Sequence, residues 1–354
     1  MSLPCQPHVT VVVPVRNGAA TIGACIEALL AQDYPRDFVE IIVVDNGSAD
    51  ETRDVVARYP VTLLVELEVR TSYAARNRGI AQASGEVIAF TDADCVALSD
   101  WLTHLVAPLA DATVGAAVGT VGDAAPDTLC EEFTARVQPF ARPQRCGLQT
   151  LLTGNVAMRR STLEALDRFD ERLPTGGDVD LGWRMQRNLG LRLADVPEAT
   201  VLHKHRSTFR QVFAQFRRYG LSEILLATLH GGNNGSKPVR RMLAQARAMG
   251  SYGVSLTYRV MRSTLRGFDR RYVLWPWFLF TVEAGNVAGK LEGLIATRGF
   301  RRNPYPNPRL GRSPYRALTA TGSRALSDSS TGEGTRRATS PPSRKTSLTR
   351  REET

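Results

Sequence analysis

Short apolar runs alternate with amphipathic stretches along the first hundred residues of the chain. The run at 9–15, VTVVVPV, is almost wholly apolar and β-branched, which is typical of a strand buried on both faces of a parallel sheet. The stretch at 19–32 then has apolar residues three and four positions apart, which is the spacing of a helix with one buried face. Together these two segments predict one β–α unit.

The same pairing recurs before residue 110. We predict strands at 40–45, 61–67 and 86–92, and helices from about 49, across 72–83 and from about 99. Strands that alternate with helices at this spacing form a parallel sheet covered on both faces, and right-handed crossovers make it doubly wound. The fold class is therefore α/β, with a Rossmann-like, mostly parallel sheet. Ligands of such sheets bind beyond the carboxyl ends of the strands.

Polar residues follow three of these strands at their carboxyl ends. Arg16 and Asn17 follow the first strand, Asp45 the second, and Asp92 and Asp94 the fourth. Two carboxylates spaced D-x-D at such an edge suit Mg²⁺, which takes one or two carboxylates and leaves its other positions to phosphate and water. A bare D-x-D, or an Asp45 that opens the turn DNGSADET, is also compatible with simple helix capping.

Six segments resemble the family 2 glycosyltransferases of the GT-A fold. They are VVVPVRN (11–17), VVDNGSADET (43–52), ARNRGIAQASGEVIAFTDAD (75–94), TGNVAMRR (153–160), GGDVDLGWR (176–184) and VLHKH (201–205). The resemblance spans about residues 9–220. It implies inverting transfer of a sugar from a nucleotide-diphosphate donor to an acceptor, with Mg²⁺ or Mn²⁺ as cofactor. Family habit favours a UDP-sugar.

The resemblance also implies roles for single residues on the donor side. The residues expected at the nucleotide-sugar are Pro14, Arg16, Asn17, Asp45, Gly47, Ser48, Arg76, Asn77 and Asp92. Asp45 is expected at the nucleobase edge, Asp92 at the ribose and the metal, and Asp94 at the metal. His203 is the third expected metal ligand, since relatives sometimes supply a histidine from this region and a neutral imidazole is a good ligand. A structural hydrogen-bonding role for His203 is the alternative.

The acceptor hydroxyl needs a base on the opposite face of the sugar, and a carboxylate can take the proton as the new bond forms. Asp178 is the candidate for this base and Asp180 is its rival, while capping of the helix DVDLGWRMQ is the alternative for both. The family commonly has Glu-Asp at the position where this chain has Gly177-Asp178.

A second signature lies downstream. The segment QFRRY (215–219) resembles the Q-x-x-R-W signature of processive synthases, with Tyr219 in place of Trp. An aromatic platform for a sugar and an arginine for phosphate would explain this pattern, and an amphipathic helix surface is the alternative. The residues expected on the acceptor side are Gly154, Asn155, Asp180, Arg184, Gln215, Arg218 and Tyr219.

Charge is distributed unevenly along the 354 residues, whose formal net charge is +10. Residues 1–229 have 22 Lys and Arg against 28 Asp and Glu, whereas residues 230–271 have 9 against 1. We therefore predict a GT-A catalytic domain at 1–229, a basic and aromatic helical extension at 230–300 and a disordered basic tail at 301–354. Because the tail lacks interleaved aromatic residues for base stacking, we expect no nucleic-acid partner.

The extension suggests a membrane surface. The uncharged run from Tyr272 to Val282 is too short to cross a bilayer, but basic residues beside Trp275 and Trp277 suit an anionic interface. The amino terminus has no basic region before its apolar run, so we expect no signal peptide. Five scattered cysteines without CxxC spacing indicate free thiols. We expect a cytoplasmic protein, peripheral at the inner face of the plasma membrane, with a lipid-linked, polysaccharide or other cell-envelope acceptor.

Two other functions stay open on the sequence. One is a non-catalytic nucleotide-sugar-binding protein, because the Glu before Asp178 is missing. The other is a metal-dependent phosphohydrolase, a class that also places D-x-D after a parallel strand, although usually after the first one.

Overall fold

Strands and helices alternate over most of the first 110 residues, as the sequence predicts. The computed structural model describes residues 6–137, 147–230, 236–266 and 269–300. Its strands are β1 (Val9–Val15), β2 (Val39–Asp45), β3 (Thr62–Val65), β4 (Val87–Thr91), β5 (Cys95–Ala97), β6 (Val114–Asp123), β7 (Asn155–Arg159) and β8 (Arg192–His203). Its α-helices are α1 (Ile22–Leu30), α2 (Thr52–Val56), α3 (Ser72–Gln82), α4 (Trp101–Val106), α5 (Leu129–Val137), α6 (Arg160–Ala165), α7 (Gly177–Leu189), α8 (Phe209–Leu229), α9 (Ser236–Arg266) and α10 (Arg270–Phe300).

All the described strands belong to one sheet, in the order β3-β2-β1-β4-β7-β6-β8-β5. The first four strands along the chain pair in parallel, β6 pairs with β8 in parallel, and β7 lies antiparallel between β4 and β6. The predicted α/β class with a mostly parallel sheet is confirmed. The parallel order places the carboxyl ends of β1, β2 and β4 on one edge of the sheet.

Both faces of the sheet are covered, which explains why β1 is apolar at every position except the buried Thr10. Val11 and Val13 pack on one face in a core that includes residues of α1 and α4. Val12 packs on the other face, in a core that includes residues of α3, α7 and α8. Successive side chains of a strand point to opposite faces, so a strand in the middle of three layers needs apolar residues throughout.

The start of helix α2 differs slightly from its predicted position, whereas helix α3 starts where it was predicted, and both starts have local causes. Helix α2 begins at Thr52 and not near 49, because Thr52 Oγ1 accepts the Gly18 N–H at 2.9 Å and the preceding residues form a loop against the β1–α1 turn. Helix α3 begins at Ser72, where the Thr71 hydroxyl accepts the Ala74 N–H at 3.1 Å and caps the helix.

The extension consists of two long helices, and α10 packs along α8. Helix α10 runs continuously through Pro276. Trp275 packs edge-on against Phe133 of α5, with ring centroids 5.1 Å apart, whereas Trp277 is 45% exposed. Trp277 is therefore the more exposed of the two tryptophans that the sequence placed at a membrane interface.

Some predictions concern residues outside the described ranges. The tail at 301–354 lies outside them, as do two of the five cysteines, and the boundaries at 229 and 300 stay predictions. The three described cysteines, Cys25, Cys95 and Cys130, are buried free thiols, as expected. Within the described ranges, no helix combines the length and the apolar character needed to cross a bilayer.

Candidate active site

The turn after β2 holds a buried carboxylate at the sheet edge. Asp45 is fully buried, and its carboxylate accepts the backbone N–H groups of Gly47 and Ser48 at 3.2 and 3.1 Å. Gly47 has φ +77°, a conformation that favours glycine. The Ser48 hydroxyl in turn accepts the Asn17 N–H at 2.9 Å, so the turns after β1 and β2 are tied together.

Pro14 lies inside the sheet, whereas Arg16 and Asn17 belong to the turn after β1. Pro14 is buried within β1, opposite Val44 of β2, whereas Arg16 is exposed at the strand end. Asn17 adopts a left-handed backbone conformation with φ 52°, and its side-chain oxygen accepts the Ala49 N–H at 2.8 Å. The edge therefore presents the Arg16 guanidinium next to a rigid pair of turns.

The D-x-D segment follows β4, and its first carboxylate is paired with Arg76 of α3. The Arg76 guanidinium is buried and donates to Asp92 Oδ1 at 2.5 Å. Gly154, immediately before β7, lies against the other oxygen, because a Cβ on Gly154 would sit 3.3 Å from Asp92 Oδ2. The structure therefore brings together Arg76, Asp92 and Gly154, three residues that the sequence placed in the site.

The second carboxylate, Asp94, lies among cationic and imidazole groups from the end of β8. His203 Nε2 is 3.6 Å from Asp94 Oδ1, and Arg206 Nη1 is 3.1 Å from Asp94 Oδ2. Burial lowers the pKa of His203 below its usual value, so its imidazole is neutral near pH 7 and suited to a metal. His205 makes a different contact, since its Nε2 is 2.6 Å from Asp123 Oδ1.

These groups are compatible with a divalent cation that is shared with a substrate. Within the described residues, no group of three or more His, Cys, Asp or Glu side chains is arranged to hold a metal. Mg²⁺ and similar ions, however, are commonly held by one or two carboxylates together with phosphate oxygens. Asp92 and Asp94, with His203 beside them, fit that donor set.

Asp178, at the start of α7, is half-buried and faces α3. Its Oδ1 accepts the Tyr73 hydroxyl at 3.2 Å and the Val179 N–H at 2.9 Å. Burial raises the pKa of Asp178 above its usual value, while the Val179 N–H, the Arg76 charge and the Thr153 N–H act in the opposite direction. Arg76 and the Thr153–Gly154 segment thus lie near both Asp178 and Asp92, which brings the two carboxylates to one site.

The rival carboxylate, Asp180, has different surroundings. It is fully buried, accepts the Arg184 Nε–H at 2.8 Å, and accepts the His230 Nε2–H at 2.9 Å. The Arg184 guanidinium also donates to the backbone carbonyls of Leu166 and Arg168. These contacts join α7 to the end of α8 and to the 166–168 loop, and the acceptor-side roles expected of Asp180 and Arg184 stay predictions.

Two asparagines expected in the site are also engaged in internal contacts. The Asn77 amide donates to the Phe169 carbonyl and to Glu171 Oε1, each at 2.9 Å, and its oxygen accepts the Phe169 N–H. The fully buried Asn155 amide bonds to the carbonyls of Thr120 and Ala199 and accepts the Trp101 indole N–H at 2.8 Å. Their expected roles toward ligands stay predictions.

The QFRRY segment lies on α8, with its polar residues unequally exposed. Gln215 is buried and donates to the Tyr219 hydroxyl at 3.0 Å, while Arg218 and Tyr219 are exposed. Arg218 is close enough to Arg206, Tyr73 and Asp94 to interact with them electrostatically. Arg206 and Arg218 therefore add positive charge beside the D-x-D segment.

Three residues of this site were not identified by the sequence analysis: Tyr73, Arg206 and His230. Arg206 directly follows the HKH pattern and could have been considered as a phosphate ligand. Tyr73 and His230 carried no signal, because each meets its carboxylate across a large sequence separation, 105 and 50 residues respectively.

Comparison with known proteins supports the family suggested by the motifs. Residues 10–163 match the model for glycosyl transferase family 2. The glycosyltransferase AglE of Haloferax volcanii is 33% identical over 180 residues, which cover 49% of this chain and 59% of that protein. The pre-mycofactocin glycosyltransferase of Mycobacterium tuberculosis is 31% identical over 238 residues, which cover 64% of this chain and 49% of that protein.

The chain thus spans 59% of the length of the first relative and 49% of the length of the second. Among solved structures, a mannosyltransferase from Pyrobaculum calidifontis, in complex with GDP-mannose and Mn²⁺, aligns over 93% of this chain and 83% of its own length, with 24% identity and a TM-score of 0.49. The family match covers the strands and turns that carry Asp45, Asp92 and Asp94. Residues 10–163 therefore match glycosyl transferase family 2, the family that the motifs resemble.

Proposed function

We propose that the chain is an inverting glycosyltransferase that moves a sugar from a nucleotide-diphosphate donor to an acceptor hydroxyl. The observation that carries this proposal is the arrangement of Asp92 with Arg76, Asp94 with Arg206, and Asp178 with Tyr73 around one edge of the sheet. The family match supports the reaction class, and UDP remains the favoured nucleotide on family habit alone.

On the donor side, the turns after β1 and β2 form the nucleotide end, with Asp45 at the base. Asp92, Asp94 and His203 would hold Mg²⁺ or Mn²⁺, which when bound stabilises the negative charge that develops on the departing diphosphate. Arg206 and Arg218 contribute fixed positive charge to the same end of the donor.

On the acceptor side, Asp178 acts as the general base. Its raised pKa makes the carboxylate a better proton acceptor than an exposed aspartate, and the Tyr73 hydroxyl holds Oδ1 in place. Oδ2 is then the oxygen that takes the proton from the attacking hydroxyl. The buried contacts of Asp180 favour Asp178 over its rival.

The acceptor is lipid-linked, polysaccharide or another cell-envelope glycan, and the protein is peripheral at a membrane surface. The basic stretch at 230–271, within the extension, and the exposed Arg218 and Tyr219 support this part of the proposal. The family match argues against a phosphohydrolase. The experiment below distinguishes an enzyme from a protein that binds the nucleotide-sugar without turnover.

The experiment is a screen of nucleotide-sugars with Mn²⁺ and Mg²⁺ that measures nucleotide release with and without a lipid extract. Asp94→Ala is expected to lose donor binding, whereas Asp178→Ala is expected to keep binding and lose turnover. Asp54→Ala is the matched control, because Asp54 is exposed on α2. Donor binding without release in the unaltered protein would identify a binding protein, and equal release from all four proteins would refute the mechanism.

A further inference from the structure

Helix α9 has one face turned to solvent and one face packed on the molecule. The inner face includes Arg259, whose guanidinium lies 4.3 Å from the Tyr272 ring centroid and donates to the Tyr272 carbonyl at 3.0 Å. It also includes Gln245, which accepts from the buried Lys290 ammonium of α10 at 2.6 Å. These contacts fix the rotation of α9 about its axis.

The outer face of α9 exposes large apolar side chains at helical spacing. Val254 is 73% exposed, Tyr258 53% and Met261 59%, and these residues stand four and three positions apart. Leu243, 54% exposed, lies on the same line about three turns earlier. We call the line of Leu243, Val254, Tyr258 and Met261 the outer apolar line.

Charge on α9 is of one sign. The segment 236–266 contains one lysine and six arginines and no aspartate or glutamate. Arg240 and Arg247 are exposed and fall on the outer apolar line at helical spacing. Helix α10 differs, because 270–300 includes Glu283 and Glu292.

We propose that the outer apolar line of α9 is the surface by which this protein lies on an anionic lipid bilayer. A helix with basic residues beside exposed apolar and tyrosine side chains suits the headgroup region, where apolar groups are buried and arginines meet lipid phosphates. A second copy of the chain fits this face poorly, because two α9 helices in contact would bring arginines together. This inference deepens the proposed function. It depends on that function only in locating the acceptor at the membrane.

The test is co-sedimentation of the full chain with phosphatidylcholine vesicles that contain or lack phosphatidylglycerol, without nucleotide-sugar. We expect binding only to the anionic vesicles, weakened by added salt. Combined Val254→Ser, Tyr258→Ser and Met261→Ser is expected to lower the partition coefficient at least about tenfold, because the buried apolar area is lost. Arg247→Ala is expected to lower it about fivefold.

Ile295→Ser on α10 is the matched control, since Ile295 is 72% exposed and should not affect binding. Equal binding by the triple variant and the unaltered protein, or equal loss with Ile295→Ser, would overturn the assignment of the surface. A concentration-dependent dimer that the triple variant abolishes, without vesicle binding, would identify a self-association face instead. Donor hydrolysis measured without vesicles reports separately on the proposed reaction, so either proposal can fail alone.

Discussion

Asp178 and Asp180 lie two residues apart on α7 but differ in what they contact. Asp178 meets a neutral tyrosine hydroxyl and backbone N–H groups, while Asp180 meets Arg184 and His230. Burial raises the pKa of the Asp178 carboxylate above its usual value. This difference at the scale of single residues supports the proposal that Asp178 takes part in the chemistry and Asp180 in packing.

Asp178→Asn should abolish turnover but not donor binding. Because general-base catalysis contributes roughly 10²- to 10⁴-fold, kcat should fall by that range while the donor Kd stays within about twofold. Burial penalises the Asp178 charge, so the neutral amide should leave the Tm unchanged or slightly higher. Isothermal titration with a nucleotide-sugar, steady-state kinetics and thermal melting measure the three quantities. A lower donor affinity equal to the loss in kcat would contradict the role of base.

Tyr73→Phe should move the acidic limb of the pH–rate profile. The Tyr73 hydroxyl stabilises the Asp178 anion and so lowers its pKa, against the effect of burial. Without that bond the pKa rises, and activity is lost at a higher pH as the medium is acidified. The kcat/KM profile between pH 4 and 8 should therefore shift to the right, which an effect on packing alone would not produce. The parallel control is Tyr59→Phe, because Tyr59 bonds to Glu27 away from the site.

Arg206→Ala should weaken donor binding through loss of positive charge beside the diphosphate. Charge-assisted bonds to phosphate are typically worth about 1.5–3 kcal/mol, so the donor Kd should rise by roughly 10- to 100-fold. Arg210→Ala is the control, because Arg210 is exposed in the first turn of α8, four residues further along the chain. Equal affinities for the two variants would remove Arg206 from the site.

At the scale of elements, α7 contains a buried ion pair, between Asp180 and Arg184, whose further contacts join the helix to the 166–168 loop and to His230. Asp180→Ala would leave the Arg184 guanidinium buried without its carboxylate, which typically costs about 3–5 kcal/mol. We expect a large decrease in the free energy of unfolding, measured by urea denaturation. Asp178→Ala, two residues away, should change it by less than about 1 kcal/mol. Similar losses for both variants would contradict the division between packing and chemistry.

The strands and helices themselves could largely be predicted from periodicity. VTVVVPV is apolar on both faces because β1 lies between two layers of helices, and the motif residues at strand ends reach one edge because the strands are parallel. Asn77 and Asn155 could not be assigned in this way. Their motifs place them at the site, but their amides bond to carbonyls from segments remote in sequence.

At the scale of the whole molecule, one buried cation of α10 links this helix to α9 and to α8, which belongs to the acidic part at 1–229. The Lys290 ammonium of α10 is 3.0 Å from Glu223 Oε2 of α8 and donates to Gln245 of α9. Arg241 of α9 also pairs with Glu223, at 2.7 Å. The three helices therefore meet at one polar cluster.

Lys290→Ala should loosen α9 while leaving the sheet intact. Removing one partner of a buried pair typically costs about 3–5 kcal/mol, although Arg241 would still compensate Glu223 in part. Hydrogen exchange followed by mass spectrometry should be faster in α9 and unchanged in β1 and β4. Arg217→Ala is the matched control, since it breaks the exposed ion pair with Glu292 and should cost at most about 1 kcal/mol.

The sequence by itself determined the α/β class, the edge of the sheet where polar residues gather, and the match of residues 10–163 to glycosyl transferase family 2, because these depend on periodicity and on motifs within short segments. Only the tertiary structure decided which carboxylates are paired, since Asp178 meets Tyr73 and Asp180 meets His230 across long separations in the chain. It also decided which face of α9 is exposed. Burial and electrostatic pairing are properties of neighbours in space, and one-dimensional patterns do not specify those neighbours.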